Sequence, residues 1–134
     1  MFLTRECDYG LRAIRALAGG GKMTVEEICG AELVPQQYAY KILKKLERAG
    51  LVQSIRGREG GYILIKSLSA FTIYDVVGAV DDNLYVNECL REKSACPHKK
   101  GEERLCAVHR EFERIQGVLI SEMRRKTLLE VVSE

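Results

Sequence analysis

Three cysteines, Cys89, Cys96 and Cys106, follow one another at the spacing C-x6-C-x9-C, and His109 comes three residues after the last. Thiolates are soft donors that suit iron–sulfur clusters, zinc or copper(I). Three of them leave a four-ligand site one donor short. His109 lies nearly one helical turn beyond Cys106, which puts both side chains on one face of a helix. His98 and the carboxylate of Asp8 are the other candidates. The alternative is a loop of reduced, unliganded thiols, but Lys99, Lys100, Glu102 and Glu103 make the stretch polar and leave its cysteines no core to fill. Cys7 and Cys29 differ: they fall on or near apolar helical stripes, where cysteine acts as a small hydrophobe. Asp8 also reads as a charge favoured near a helix N-terminus.

A second set of residues could grip a polyanion. Gln36, Gln37, Tyr40, Lys41 and Lys44 lie off the apolar stripe of one amphipathic segment, and Tyr38 can serve either its core side or its groove side. A helix of this width fits the major groove, where Gln pairs with adenine and Lys reaches guanine acceptors or phosphate. Soon afterwards Arg56 and Arg58 stand among Gly57, Gly60 and Gly61, on a loop that can approach phosphate or a narrow minor groove. An ordinary solvated face explains the helix alone; helix and loop together point to double-stranded DNA. No phosphate-cradling glycine loop, activated-serine elbow or pair of catalytic carboxylates occurs, so nothing supports an enzyme.

The elements that must hold these residues are legible. Thr4 caps a first helix presenting Cys7, Leu11, Ile14 and Ala18, which Gly19-Gly20-Gly21 ends. Thr24-Val25-Glu26-Glu27 has capping-box spacing and opens a short second helix ending near Gly30. A third starts at Pro35, shows Tyr38, Ile42, Leu43 and Leu46 on one side, and ends at Gly50. Two β-rich runs, 51–55 and 62–65, flank the charged glycine loop as a hairpin. Helix-turn-helix followed at once by a hairpin reads as a winged helix. Thr72 caps a fourth helix through Val80, residues 81–105 lose periodicity, and a long helix runs from Cys106 to about Lys126. Its stripe of Val108, Phe112, Ile115, Leu119 and Met123 has no obvious cover on one small head, which predicts a dimer. A capped turn, Thr127 to Glu130, closes the chain. The expected fold is mainly α: a winged helix-turn-helix head at 1–80, a cysteine-bearing sensor loop at 81–105, and a dimerisation helix with its C-terminal turn at 106–134.

Composition agrees. The chain has 134 residues, 46% of them hydrophobic, enough for a core, and no Trp. Its net charge of +2 hides an asymmetry, because residues 1–66 carry eleven Lys/Arg against seven Asp/Glu and the rest carry ten against twelve. The excess sits in the half that would meet DNA. Five cysteines without an export signal argue against a disulfide scaffold. No apolar run is long enough to span a membrane, and the charged N-terminus is unlike a signal peptide, so a cytoplasmic protein is expected.

Residues 4–13, the run Lys44-Lys45-Leu46-Glu47-Arg48-Ala49-Gly50-Leu51-Val52, and above all Ser54-Ile55-Arg56-Gly57-Arg58-Glu59-Gly60-Gly61-Tyr62 resemble the IscR/NsrR/CymR family of bacterial transcription regulators. The resemblance extends through 72–81, the three cysteines and the closing Thr127-Leu128-Leu129-Glu130. It implies a homodimer whose long helices pack across each other, with winged heads on an imperfect inverted repeat. It puts the third helix in the major groove and Arg56 in the minor groove. It also implies an iron–sulfur cluster, 2Fe-2S or 4Fe-4S, on Cys89, Cys96 and Cys106. In IscR-like members the fourth ligand is a histidine just after the third cysteine, here His109. In NsrR-like members it is a first-helix aspartate from the partner subunit, here Asp8. The cysteine gaps are longer here than in the best-known cluster-binding members. CymR-like members carry no cluster and work through protein partners. Three readings follow: a cluster-sensing repressor; a cluster-free regulator using zinc, thiol redox or a partner such as a metabolic enzyme; and a protein-interaction module whose basic face is incidental.

Overall fold

The computed structural model describes residues 3–99 and 106–134. The element order is α1 (Arg5–Leu17), α2 (Val25–Glu32), α3 (Gln36–Arg48), β1 (Val52–Ile55), β2 (Gly61–Leu64), α4 (Ile73–Val80), α5 (Ala107–Arg125) and α6 (Leu128–Val132), with single 3-10 turns at Leu68–Ala70, Glu88–Leu90 and Pro97–Lys99. β1 and β2 pair antiparallel, Val52 opposite Leu64 and Ile55 opposite Gly61.

α1 is the hub, packed against α2, α3 and α4. Thr4 caps it as expected, accepting from the Cys7 N–H at 3.3 Å. Its inward face gives Ala13, Ile14 and Leu17 to a core shared with Ile28, Ile42, Leu43, Leu46, Val52 and Val76. Full burial of each large aliphatic side chain contributes about 1.5–3 kcal/mol relative to exposure. Gly10 sets the spacing to α4, since a Cβ there would stand 2.7 Å from Val80 Cγ2. Cys7 is fully buried, as the sequence reading had it, whereas Cys29 is only half-buried against the core.

α2 runs past Gly30 to Glu32, farther than its sequence pattern suggests. It ends because Leu33 takes the left-handed conformation at φ 55°, its N–H bonded to the Cys29 carbonyl. Arg12 Nη1 donates to the Glu32 carbonyl at 3.0 Å, and Arg15 Nε to the Glu32 carboxylate at 3.0 Å, so α1 grips that end from outside. Pro35 is the N-cap of α3 rather than its first residue. α4 and α6 both open on reciprocal capping boxes, Thr72 with Asp75 and Thr127 with Glu130. Leu128 is buried in the head's core and its N–H bonds to the Phe71 carbonyl at 2.9 Å, so the C-terminal turn folds back onto the head.

α5 is different. None of its nineteen residues is buried. Met123 packs against the small cluster of Cys7, Val77 and Leu84, and Gln116 Oε1 accepts from the Val86 N–H at 3.0 Å. The head therefore covers the far end of the apolar stripe. Val108, Val118 and Leu119 remain 61%, 52% and 39% exposed.

Candidate nucleic-acid interface and thiol cavity

The turn at Leu33 to Pro35 sets α3 with Ala39, Ile42, Leu43 and Leu46 facing the core. The opposite face carries exposed Gln37, Lys41, Lys44 and Arg48 at spacings of four, three and four. Arg48 was not among the sequence candidates; its place four residues after Lys44 was the available signal. Two carboxylates border this face. On the α2 side, Glu26 Oε1 accepts from Gln36 Nε2 at 3.2 Å and from the Tyr40 hydroxyl at 3.4 Å. On the α1 side, Glu6 accepts from Lys41 Nζ at 3.1 Å and Lys45 Nζ at 3.3 Å, while Lys45 also donates to the Val80 carbonyl at 2.8 Å. The Lys41 ammonium, bonded to the Glu6 carboxyl, holds that group below its usual range against the opposing effect of burial. Tyr38 is half-buried, its ring 5.6 Å from that of Tyr9, so of its two expected roles the structure shows the core one.

The wing stands beside this helix. Gly57, at φ 118°, turns the loop where an L side chain would be strained, and Arg56 and Arg58 are exposed on it. Glu47, near the end of α3, accepts from the Ser54 N–H at 2.9 Å and its hydroxyl at 2.8 Å. Those bonds lower the Glu47 carboxyl below its ordinary value, the backbone donor first. They also fix the wing to the helix. Met23 and Tyr62 exchange backbone hydrogen bonds at 3.1 and 2.8 Å, tying β2 to the start of the helix-turn-helix.

A third place gathers the sulfur. Cys89 lies in the turn at Glu88–Leu90, Cys96 precedes the turn at Pro97–Lys99, and Cys106 is the N-cap of α5. All three line one cavity of about 310 Å³ together with His98, His109, Asn87 and Val108. Asn87 Nδ2 donates to Cys89 Sγ at 3.3 Å, and the His109 N–H donates to Cys106 Sγ at 3.4 Å. The His109 ring is 14% exposed, with Nε2 3.5 Å from Glu113. The cysteines are free thiols. Among the described residues no three ligand-type side chains converge as closely as a bound metal ion requires. The donor chemistry fits a thiophilic group all the same: three thiols and two imidazoles border one space. Lys100, Glu102 and Glu103, expected to make this loop polar, lie outside the described residues. Asp8 is on none of this cavity's walls; it is exposed on α1 and paired with Arg12 at 3.1 Å. Burial first, and then the charge of Glu26, push the Cys29 thiol up, which makes it a poor nucleophile.

Among the described residues no helix is long and apolar enough to cross a membrane. A family model described as "Rrf2: Iron-dependent Transcriptional regulator" matches residues 3–134. The protein aau3 of Rhizobium meliloti is 37% identical over 91 residues, 66% of this chain and 59% of that protein. An rrf2-like HTH-type transcriptional regulator of Rhodobacter capsulatus is 30% identical over 120 residues, 84% of this chain and 80% of its own. Among solved structures, CymR, the global cysteine regulator of B. subtilis, superposes with a TM-score of 0.76 at 25% identity, covering 98% of this chain and 95% of that one. T. potens IscR superposes with a TM-score of 0.75 at 20% identity, covering 98% and 85%.

Proposed function

The chain belongs to the Rrf2 family of DNA-binding transcription regulators, and from that premise we propose that it is a cytoplasmic homodimeric repressor whose hold on an inverted-repeat operator responds to an iron–sulfur cluster at the thiol cavity. It is a regulator and not an enzyme. The observation that carries the cluster reading is the meeting of Cys89, Cys96, Cys106 and His109 around one space at the start of α5. Those four residues would hold the cluster, with Asp8 of a second copy as the alternative fourth donor. When bound, the cluster supplies a centre that reacts with oxidants or nitric oxide and turns over with iron supply.

The rest belongs to the chain's own residues. Exposed Gln37, Lys44 and Arg48 offer donors to base edges and phosphates in the major groove, and Arg56 and Arg58 reach the adjacent minor groove and backbone. Cys106 begins α5 directly, so whatever fixes its sulfur fixes the first turn of that helix. Gln116 ties α5 to the loop at Val86, Met123 ties it to α4, and the Val80 carbonyl at the end of α4 is held by Lys45 of α3. The cavity and the reading helix thus share a continuous run of packed contacts. In a dimer joined through α5, a small change in the angle of that helix alters the spacing of the two heads, on which groove register depends. A shift of a few kcal/mol between two head arrangements is enough to capture or release an operator.

A cluster-free regulator using the thiols for zinc or redox chemistry, or working through a protein partner, is the second reading. The likeness to CymR, and side chains that border the cavity without closing on a point, favour it. Anaerobic purification with iron and acid-labile sulfide analysis separates the two. Stoichiometric iron and sulfide with a visible chromophore, lost together in Cys96→Ala along with altered operator affinity, are expected. Colourless protein whose Cys96→Ala variant binds DNA like the parent would overturn the cluster reading.

A further inference from the structure

We propose that Glu26 is a specificity-determining residue: by holding Gln36 and Tyr40 it turns one flank of the reading face into a row of hydrogen-bond acceptors that selects an amine-bearing base, cytosine or adenine, on the contacted strand. The inference rests on the DNA reading of α3 given above. Glu26 is exposed at the start of α2, where Thr24 caps the helix by accepting from the Glu27 N–H at 3.1 Å. An ionised carboxylate only accepts hydrogen bonds. It therefore decides which end of the Gln36 amide faces it: Nε2 turns inward at 3.2 Å, and Oε1 turns away. The same oxygen accepts a hydrogen bond from the Tyr40 hydroxyl at 3.4 Å, leaving the lone pairs of that phenol oxygen. Glu26 Oε2 is the third acceptor. Gln36 and Tyr40, four residues apart on α3, present this combination together on the side of the helix that faces α2.

In the major groove only cytosine N4 and adenine N6 donate; guanine offers N7 and O6, thymine O4 and a methyl group, and phosphates only acceptors. A fixed negative charge beside Gln36 repels each of those acceptors. The row of Gln37, Lys41, Lys44 and Arg48 has the opposite character: Lys41 meets Glu6 on its far, α1 side, while Lys44 and Arg48 are permanent cations with no carboxylate hydrogen-bonded to them among the described residues. One helix thus carries a donor-rich row for guanine and phosphate beside an acceptor-rich flank for an amine. Glu26 supplies the second without itself being on the reading helix.

Selection from a pool of randomised duplexes by the full-length parent, Glu26→Gln and Gln36→Ala tests this. The parent is expected to yield sites in which one position of each half-site is restricted to cytosine or adenine on one strand. Glu26→Gln removes the charge with little change of shape, so that position should admit guanine and thymine, with discrimination falling about tenfold. Affinity for unselected duplex should rise as the repulsion of phosphate disappears. Gln36→Ala should relax the same position without that rise, because the Glu26 charge stays. A Glu26→Gln site pattern identical to the parent's, or a Gln36→Ala pattern that keeps the restriction, overturns the assignment while leaving DNA binding intact. A parent that retains no duplex overturns the DNA reading itself, and this inference with it.

Discussion

The winged head and α5 are built from similar proportions of apolar residue but reach opposite outcomes. In the head, Ile28, Leu43, Leu46, Val52, Val76 and Val77 are wholly shielded, and the caps, the Glu47–Ser54 bonds and the Glu6 bridge join its elements from several sides. In α5 the described contacts with the head gather around Gln116 and Met123, and the helix is capped by a cysteine that lines one cavity with two other thiols. The first region has the contacts that make a fold self-sufficient. The second leaves Val108, Val118 and Leu119 exposed, with no cover among the described residues. Under the proposed function this contrast joins sensing to assembly: the helix with the exposed apolar face is also the one that starts at the thiol cavity.

The largest expected effect lies on the exposed side of that contrast. Leu119→Glu places a charge in the middle of the stripe formed by Val108, Phe112, Ile115 and Leu119, and burying it unpaired in a dimer would be costly. Sedimentation should show monomers with a folded head, and operator affinity should fall by at least about a hundredfold, since two half-sites are no longer engaged together. A Leu119→Glu dimer of unchanged mass would place the interface elsewhere.

Next in size is the core. Leu43→Ala removes a side chain with no solvent exposure and should cost about 2–5 kcal/mol of stability, read from denaturant unfolding. Leu119→Ala, measured in the Leu119→Glu-like monomeric regime at high dilution, should cost far less, because that side chain is already 39% exposed. Equal losses would mean that α5 is packed within its own chain after all.

The two regions were also unequally legible. Local signals are short-range, so Thr4, Thr72 with Asp75, Thr127 with Glu130, and the glycine loop of the wing located their elements correctly. α2 escaped by two residues because it ends at a left-handed Leu33 rather than at Gly30, and Arg12 and Arg15 hold its last residue, Glu32, from another helix. The turn at Leu68–Ala70 carries no periodic signature. At the site, sequence spacing separated the polar face of α3 from its core face. It could not show that Gln36 and Tyr40 share Glu26, or that Lys41 and Lys45 share Glu6 from 35 and 39 residues away, since such pairs exist only once helices pack. For the cysteines, the sequence brought three donors and His109 to one neighbourhood. It could not show that His98 joins His109 on the cavity wall while Asp8 is paired with Arg12 elsewhere on α1, since that depends on how the loop packs against α5.

Arg56→Ala tests the head as a reader. The side chain is exposed on the wing and makes no hydrogen bond or ion pair among the described residues, so its removal should leave stability unchanged. Losing one base-reading or phosphate contact should weaken operator binding by about 1–3 kcal/mol, and Lys44→Ala, if it meets phosphate alone, should weaken all duplexes alike with a shallower salt dependence. Unchanged affinity in both variants would remove the wing and α3 from the interface.

The smallest effect is a titration, and it asks whether the head's reading geometry is fixed without help from α5. Glu47 accepts two hydrogen bonds from Ser54, which lower its carboxyl below the ordinary value of 4.5. A carboxyl whose folded value is lowered adds stability that is fully present above its unfolded value and disappears as the pH falls through the folded one. The tie between α3 and β1 should therefore be complete from neutrality down to the ordinary carboxylate range and lost only in more acid solution. Carboxyl resonances followed by NMR should give Glu47 a midpoint below 4.5, and the Ser54 amide should lose its protection from exchange over the same interval. Ser54→Ala removes the hydroxyl donor but keeps the backbone one, so the midpoint should move only part of the way back. The same midpoint is expected in the monomeric Leu119→Glu protein, because both partners lie in the head. A midpoint that returns to 4.5 when the dimer is broken would mean that α5 helps to set the wing, and the division between a self-sufficient reader and a dependent arm would have to be redrawn.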